Sequence, residues 1–202
     1  MTDIVIIDYG LGNLRSVTRG LEHAGASVTI SSDPAAMHRA DGVVLPGVGA
    51  FQDAMHNLAP LKDDLIEVAG TGKPLLGICL GMQMLLSRSE EGGLTDGLDL
   101  VPGEVVRFPK SAGKIPHMGW NSLDIKSDHQ LFRNIPPNTY AYFVHSYYAD
   151  CAPEYVLASS EYGIEFAAAV VNNEGNVMGT QFHPEKSGDL GLKMLENFVG
   201  MC

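Results

Sequence analysis

Short apolar runs and amphipathic stretches alternate through the first 90 residues. Residues 3–8 (Asp-Ile-Val-Ile-Ile-Asp), 27–30, 42–45 and 74–78 are too short for stable helices and read as strands. Between them, Leu14, Val17, Leu21 and Ala24 recur at helical spacing, with Gly25 placed as a C-terminal cap. Ser31-Ser32-Asp33-Pro34 supplies capping residues and a first-turn proline for a brief helix reaching Ala40, and residues 51–68 read as a longer helix interrupted by Pro60. Parallel strands cannot be joined by tight turns, so strands separated by helices predict an α/β chain with a parallel sheet covered on both faces. Its functional loops should lie outside the carboxyl ends of the strands.

The second half changes style. Residues 105–108, 119–125, 139–148, 155–162, 165–172 and 177–182 read as strands, the last two forming a hairpin around Glu174-Gly175, and residues 190–199 close the chain as a helix. No repeat or linker separates the halves, so 202 residues are expected to form one domain around one core.

Charge and cysteine content narrow the class. A formal charge of −11 without a basic cluster lacks the footprint of a nucleic-acid binder and disfavours an anionic membrane surface. No apolar stretch approaches membrane-spanning length. Asp3 and the brief run at residues 4–7 do not make a secretory leader. Cys79, Cys151 and Cys202 are odd in number and widely spaced, which argues against disulfides or a zinc site and fits a reducing, cytoplasmic setting. No ligand pattern for a metal is present.

Chemistry is expected at Gly77-Ile-Cys79-Leu-Gly81-Met-Gln83. The cysteine stands between glycines where a buried strand meets a helix-like run, with Leu80, Gln83, Met84 and Ser87 on one stripe and Met82, Leu85 and Leu86 on another. Such a sharp turn projects its central side chain from the sheet edge toward helix amides, the setting of an activated thiol. Cys79 is therefore the candidate nucleophile, while Cys151 and Cys202 read as structural. A thiol needs a base. His183 ends the run 177–182, and in His183-Pro184-Glu185 the proline keeps its neighbour extended, so Glu185 can lie beside the imidazole and orient it. His145 is the rival, but lacks a nearby carboxylate and reads as a packing or supporting residue. Acyl chemistry also needs donors for an oxyanion. Pro46-Gly47-Val48-Gly49 follows a strand expected beside the one carrying Cys79, so its peptide and the Leu80 amide are the candidate pair. Two phosphate-like stretches are discounted: Gly10-Leu11-Gly12 has Arg15 where a third glycine belongs, and Gly70-Thr71-Gly72-Lys73 precedes a strand.

With Cys79 in its glycine-flanked turn and His183-Pro184-Glu185 far along the chain, the sequence resembles the class I (triad) glutamine amidotransferases. That resemblance implies a flavodoxin-like domain, a Cys79-His183-Glu185 triad and hydrolysis of L-glutamine to glutamate and ammonia without a cofactor. Asp8-Tyr-Gly-Leu-Gly-Asn-Leu-Arg-Ser-Val17, Pro46-Gly-Val-Gly-Ala-Phe51, Pro116-His-Met-Gly-Trp-Asn121, Tyr142-Phe-Val-His-Ser-Tyr147 and Gln181-Phe-His-Pro-Glu-Lys-Ser187 are similar to one branch of that family, the glutaminase subunits of imidazole glycerol phosphate synthase. The branch implies a (β/α)8 synthase partner in a heterodimer, which uses the ammonia in histidine biosynthesis. It also implies that the Gly47-Val48 peptide completes the oxyanion hole only when the partner is loaded. By the same resemblance Gln83, Glu91, Ser146 and Tyr147 would contact substrate, and Asn13, Trp120, Tyr142 and Lys186 would face the partner. A stand-alone γ-glutamyl cysteine hydrolase, the glutaminase of another synthase and a catalytically silent regulatory subunit remain the alternatives.

Overall fold

Ile4 and Ile6 are buried on one face of the first strand and Val5 and Ile7 on the other, so this strand is covered by packed side chains on both sides. The computed structural model describes residues 1–202. In chain order its first half runs β1 (Asp3–Ile7), α1 (Leu14–His23), β2 (Ser27–Ser31), α2 (Pro34–Arg39), β3 (Gly42–Gly47), α3 (Phe51–Leu58), α4 (Lys62–Gly70), β4 (Leu75–Cys79) and α5 (Leu80–Met84). The second half runs β5 (Leu86–Ser89), β6 (Thr95–Asp96), β7 (Val101–Arg107), β8 (His117–Ser122), β9 (Asp124–Ile125), β10 (Tyr140–His145), β11 (Tyr147–Asp150), β12 (Val156–Glu161), β13 (Glu165–Val171), β14 (Val177–Thr180) and α6 (Gly188–Val199).

The main sheet has the order β2-β1-β3-β4-β14-β13-β11-β7-β5-β6, with β12 and β9 branching from β13. From β2 to β14 every pairing is parallel. This five-strand block has the 2-1-3-4-5 order of flavodoxin-like folds, its fifth place taken by the last strand of the chain. Beyond β14 the pairings are antiparallel except that of β5 with β7, beginning with the β13–β14 hairpin expected around Gly175. Two apolar clusters cover the faces. One packs Val17 and Leu21 of α1 and Met194, Leu195 and Phe198 of α6; the other packs α3, α4 and α5 through Phe51, Leu58, Leu65 and Met82. A buried Leu or Phe contributes roughly 1.5–3 kcal/mol by leaving water, so these clusters hold the strand ends in fixed relation.

Three expectations need correction. The helix after Cys79 ends at Met84, and Leu86–Ser89 departs as β5, paired with β7 and β6. Leu85 and Leu86 are buried in the same cluster as Met82, so an apolar stripe alone does not separate helix from strand here; the backbone ladder does. The interruption expected at Pro60 is present: the stretch 51–68 divides there into α3 and α4 through a 3-10 turn at Ala59–Leu61. The strand 139–148 breaks at Ser146, β10 pairing with β8 in a separate two-stranded ribbon while β11 joins the main sheet. The strand 119–125 likewise splits at Leu123 into β8 and β9. No helix is long and apolar enough to cross a membrane.

Candidate active site

Cys79 ends β4 with φ 57° and ψ −112°, a backbone conformation that L side chains seldom adopt. Such strain costs of order 1–3 kcal/mol and persists only where neighbours enforce it. Here the start of α5 is pressed onto β3: a side chain at Gly81 would run into the Leu45 carbonyl, and one at Gly47 would sit 2.6 Å from the Gly81 nitrogen and 2.8 Å from Leu80 Cβ. Gly47 is also the register partner of Cys79. The candidate oxyanion loop therefore lies against the first residues of α5, on the strand adjoining the nucleophile's. Gly47 has a second reason to be glycine besides peptide freedom, which is this close approach.

His183 follows β14, the other neighbour of β4. Its backbone is strapped to the ribbon: His183 N–H donates to the Tyr142 carbonyl at 2.9 Å, Tyr142 N–H donates to Ser187 Oγ at 3.0 Å, and Ser187 Oγ–H returns to the His183 carbonyl at 2.6 Å. Glu185 reaches the imidazole by a route other than an extended pair. His183 is extended before proline, with φ −98° and ψ 97°, and a 3-10 turn at Pro184–Lys186 then folds the carboxylate back. Glu185 Oε1 accepts from His183 Nδ1 at 2.8 Å, and both side chains are buried. The second oxygen, Oε2, is buried without a partner, so the imidazole is the one group bonded to this carboxylate. Burial works against the charged imidazole, but the neighbouring Cys79 and the bonded Glu185 outweigh that and raise the His183 pKa to about 9. His183 is thereby suited to hold a proton between a thiolate and a carboxylate.

His145 has the opposite character. Burial pushes its pKa to about 3, against the effect of its bond to the Tyr147 carbonyl and with help from nearby His117 and His183. It is a neutral imidazole at ordinary pH and no rival base, which agrees with the supporting role expected of it.

A cleft of about 300 Å³ opens over the thiol. Val48, Leu80, Gln83, Glu91, Ser146 and Tyr147 all line it with Cys79 and His183, so the four candidate substrate residues and two of the three oxyanion candidates converge on one space, while Gly47 lies behind them against α5. Glu91 has a further bond: Oε2 accepts from the Phe51 amide at 2.9 Å, capping α3, whose own cap residue Ala50 supplies no side-chain bond. Tyr9 Oη–H donates to the Pro46 carbonyl at 2.7 Å. The loop is thus held at both ends, while Val48 is 39% exposed and Gly49, at φ 97°, has open space around it.

Three of the four candidate partner-facing residues cluster. Trp120 and Tyr142 are register partners across the ribbon with ring centroids 6.2 Å apart, and Lys186 Nζ lies 6.0 Å over the Tyr142 ring. Trp120, Tyr140 and Met118 are well exposed. Asn13 is separate, heading α1 on the loop after β1 and making no side-chain cap.

Sequence reasoning gave no role to Tyr9, His117 or Gln181. Gln181 Nε2 lies 3.9 Å from Cys79 Sγ, and Gln181 Oε1 accepts from Gln83 at 2.9 Å. Its position two residues before His183, in a segment read as strand, was the available signal. No group of three or more His, Cys, Asp or Glu side chains is placed to hold a metal ion. Burial pushes the Cys151 and Cys202 thiols up to about 11 and about 12, the reverse of an activated thiol.

A strained strand-to-helix cysteine, a histidine in the same cleft bonded to a buried carboxylate, and an adjoining glycine loop are the parts that a cysteine amidohydrolase needs. The chain belongs to the glutamine amidotransferase class-I family, which it matches over residues 5–201. It is 66% identical over 202 residues to Imidazole glycerol phosphate synthase subunit HisH of Methanosarcina mazei, covering all of both chains. Identity to the subunit of the same name from Natronomonas pharaonis is 57% over 208 residues, covering 99% of this chain and 95% of that one. Among solved structures it resembles PurLQS of Thermotoga maritima, with a TM-score of 0.74, 19% identity and 98% of each chain covered, a likeness of fold alone. The resemblance drawn from the motifs therefore holds for family and subunit type.

Proposed function

We propose that the chain hydrolyses L-glutamine to glutamate and ammonia and passes the ammonia to a (β/α)8 synthase partner. The partner would use it to form imidazole glycerol phosphate and AICAR in histidine biosynthesis. The observation that carries the hydrolytic half is that Cys79 and His183 line one cleft while Glu185, buried behind the imidazole, accepts from His183 Nδ1 at 2.8 Å. The partner and its products rest on the names of the relatives and on the exposed aromatic ribbon beside His183.

In this reading the Cys79 thiolate attacks the side-chain carbonyl carbon of glutamine. A C–S bond forms and the carbonyl pair moves to oxygen, where the Leu80 and Val48 amides stabilise the charge. The intermediate collapses, the C–N bond breaks and His183 gives its proton to departing ammonia. Neutral His183 then takes a proton from water as that water attacks the thioester. The C–S bond breaks, glutamate leaves and the thiolate–imidazolium pair is restored. Glu185 holds the imidazole tautomer and stabilises its charged form. Gln83, Glu91, Ser146 and Tyr147 hold the substrate, and Asn13, Trp120, Tyr142 and Lys186 meet the partner.

The test is a coupled assay with Cys79→Ala. Glutamine hydrolysis should vanish, while the partner's synthase still runs on added ammonium salt at the native rate. Retained glutamine turnover would remove Cys79 from its role. Full turnover by the isolated chain, unchanged by the loaded partner, would favour the stand-alone hydrolase.

A further inference from the structure

Tyr147 follows the Ser146 break, where the backbone passes from the ribbon to the main sheet. Its carbonyl accepts two side-chain bonds, from His145 Nδ1 at 2.8 Å and from Gln83 Nε2 at 3.0 Å. A carbonyl can only accept, so both partners must donate, and this fixes the polarity of everything attached to them. His145 carries its proton on Nδ1, leaving Nε2 as an acceptor. That Nε2 lies 3.0 Å from His117 Nδ1, which must donate. His117 Nε2 is then an acceptor in turn, 3.3 Å from Asn121 Nδ2. The chain of bonds therefore runs one way, from Asn121 through His117 and His145 to the Tyr147 carbonyl. His117 and His145 are also register partners across the ribbon, packed among Phe108, Phe143 and Phe166. Burial lowers their pKa values to about 4 and about 3, so both stay neutral and the one-way order is kept.

On the other side of the carbonyl, Gln83 spends both N–H bonds, on Tyr147 and on Gln181 Oε1. Its Oε1 is the one polar atom of the side chain left without a protein partner, and the residue lines the cleft. The amide thus offers an acceptor to the ligand, suited to an N–H donor such as a carboxamide or an ammonium group.

We propose that His145, backed by His117, is a positioning residue for substrate recognition: the pair holds the Tyr147 carbonyl where it sets the Gln83 amide with its oxygen toward a donor on the ligand. His145 also lines the cleft, but both its ring nitrogens are engaged, by the Tyr147 carbonyl and by His117, so the pair acts through Tyr147 and Gln83. This deepens the glutaminase reading and rests on it.

Two measurements test it. In glutamine hydrolysis with the synthase partner present, His145→Leu should raise KM about tenfold while kcat stays within about threefold, because the lost positioning serves ground and transition states alike. His145→Asn, whose Nδ2–H occupies the place of Nδ1–H, should recover most of that KM. A merely structural role would lower kcat through loss of active protein, leave KM alone and gain nothing from Asn over Leu; that pattern overturns the inference. The second measurement, nitrogen-15 NMR of the native chain, needs no variant to fold. Both imidazoles should be neutral Nδ1–H tautomers at pH 7, and an Nε2–H proton on His145 would overturn the proposal. A native chain that shows these tautomers but turns over no glutamine even with the loaded synthase partner would defeat the glutaminase reading and, with it, the role assigned here.

Discussion

The backbone N–H of His183 donates to the Tyr142 carbonyl across 2.9 Å, so the candidate base and the aromatic ribbon share a hydrogen bond. Ser187 completes the strap through a buried hydroxyl that bonds both residues. A change at the ribbon is therefore one hydrogen bond removed from the candidate base.

Ser187→Ala tests the strap. It would leave the Tyr142 amide unpaired, at a cost of about 1–3 kcal/mol in stability. The expected result is a lower urea midpoint with an unchanged slope, together with a fall in glutamine turnover as His183 loosens. Unchanged stability would mean that water or a neighbour replaces the hydroxyl.

The His183 pKa predicts a stability window. A folded value near 9 against about 6.5 unfolded means that the stabilisation is fully present below pH 6.5 and is lost as pH rises through about 9. The stability gap between the native chain and His183→Asn should be largest at pH 6 and shrink by pH 10. Cys79→Ala removes one of the groups that raise this pKa, so an NMR titration of His183 should move to lower pH in that variant. A gap that widened with pH would contradict the ion-pair arrangement.

Strain at Cys79 inverts an ordinary preference. Glycine in a strand is usually less stable than alanine, but at φ 57° a Cβ is the source of strain. Cys79→Gly should be more stable than Cys79→Ala by about 1 kcal/mol, with both inactive. Denaturant titration of the pair decides it, and alanine proving the more stable would mean the turn relaxes.

The loop after β3 gives a contrasting pair. Gly47→Ala drives a methyl against the backbone of α5, so stability should fall by about 1–3 kcal/mol and turnover should be lost. Gly49→Ala meets open space but cannot readily hold φ 97°, so turnover should fall sharply with a stability loss of about 1–2 kcal/mol. Equal behaviour of the two variants in melting and turnover assays would show that one cause governs both.

The strand–helix alternation made the parallel half of the fold readable, because each buried strand carries its own apolar signal. The Cys79 turn was readable for the same local reason. Less legible were features set by distant pairing. Leu86–Ser89 has a helix-compatible pattern and becomes a strand only because β7 lies beside it. Ser146 breaks a run that looks continuous, since its two ends belong to different sheets. Tyr9 and His117 gain their bonds from residues remote in sequence, and no short window could reveal them.

The place of β14 beside β4 bears on how the protein comes into being. Cys79 is made when less than half of the chain has been synthesised, but the candidate base His183 and Glu185 arrive just after a strand near the end, which must insert next to one already laid down. Non-local pairings of this kind close late. A nascent chain on the ribosome therefore carries Cys79 without His183 beside it, and on the proposed mechanism competence to react would arrive together with the completed sheet.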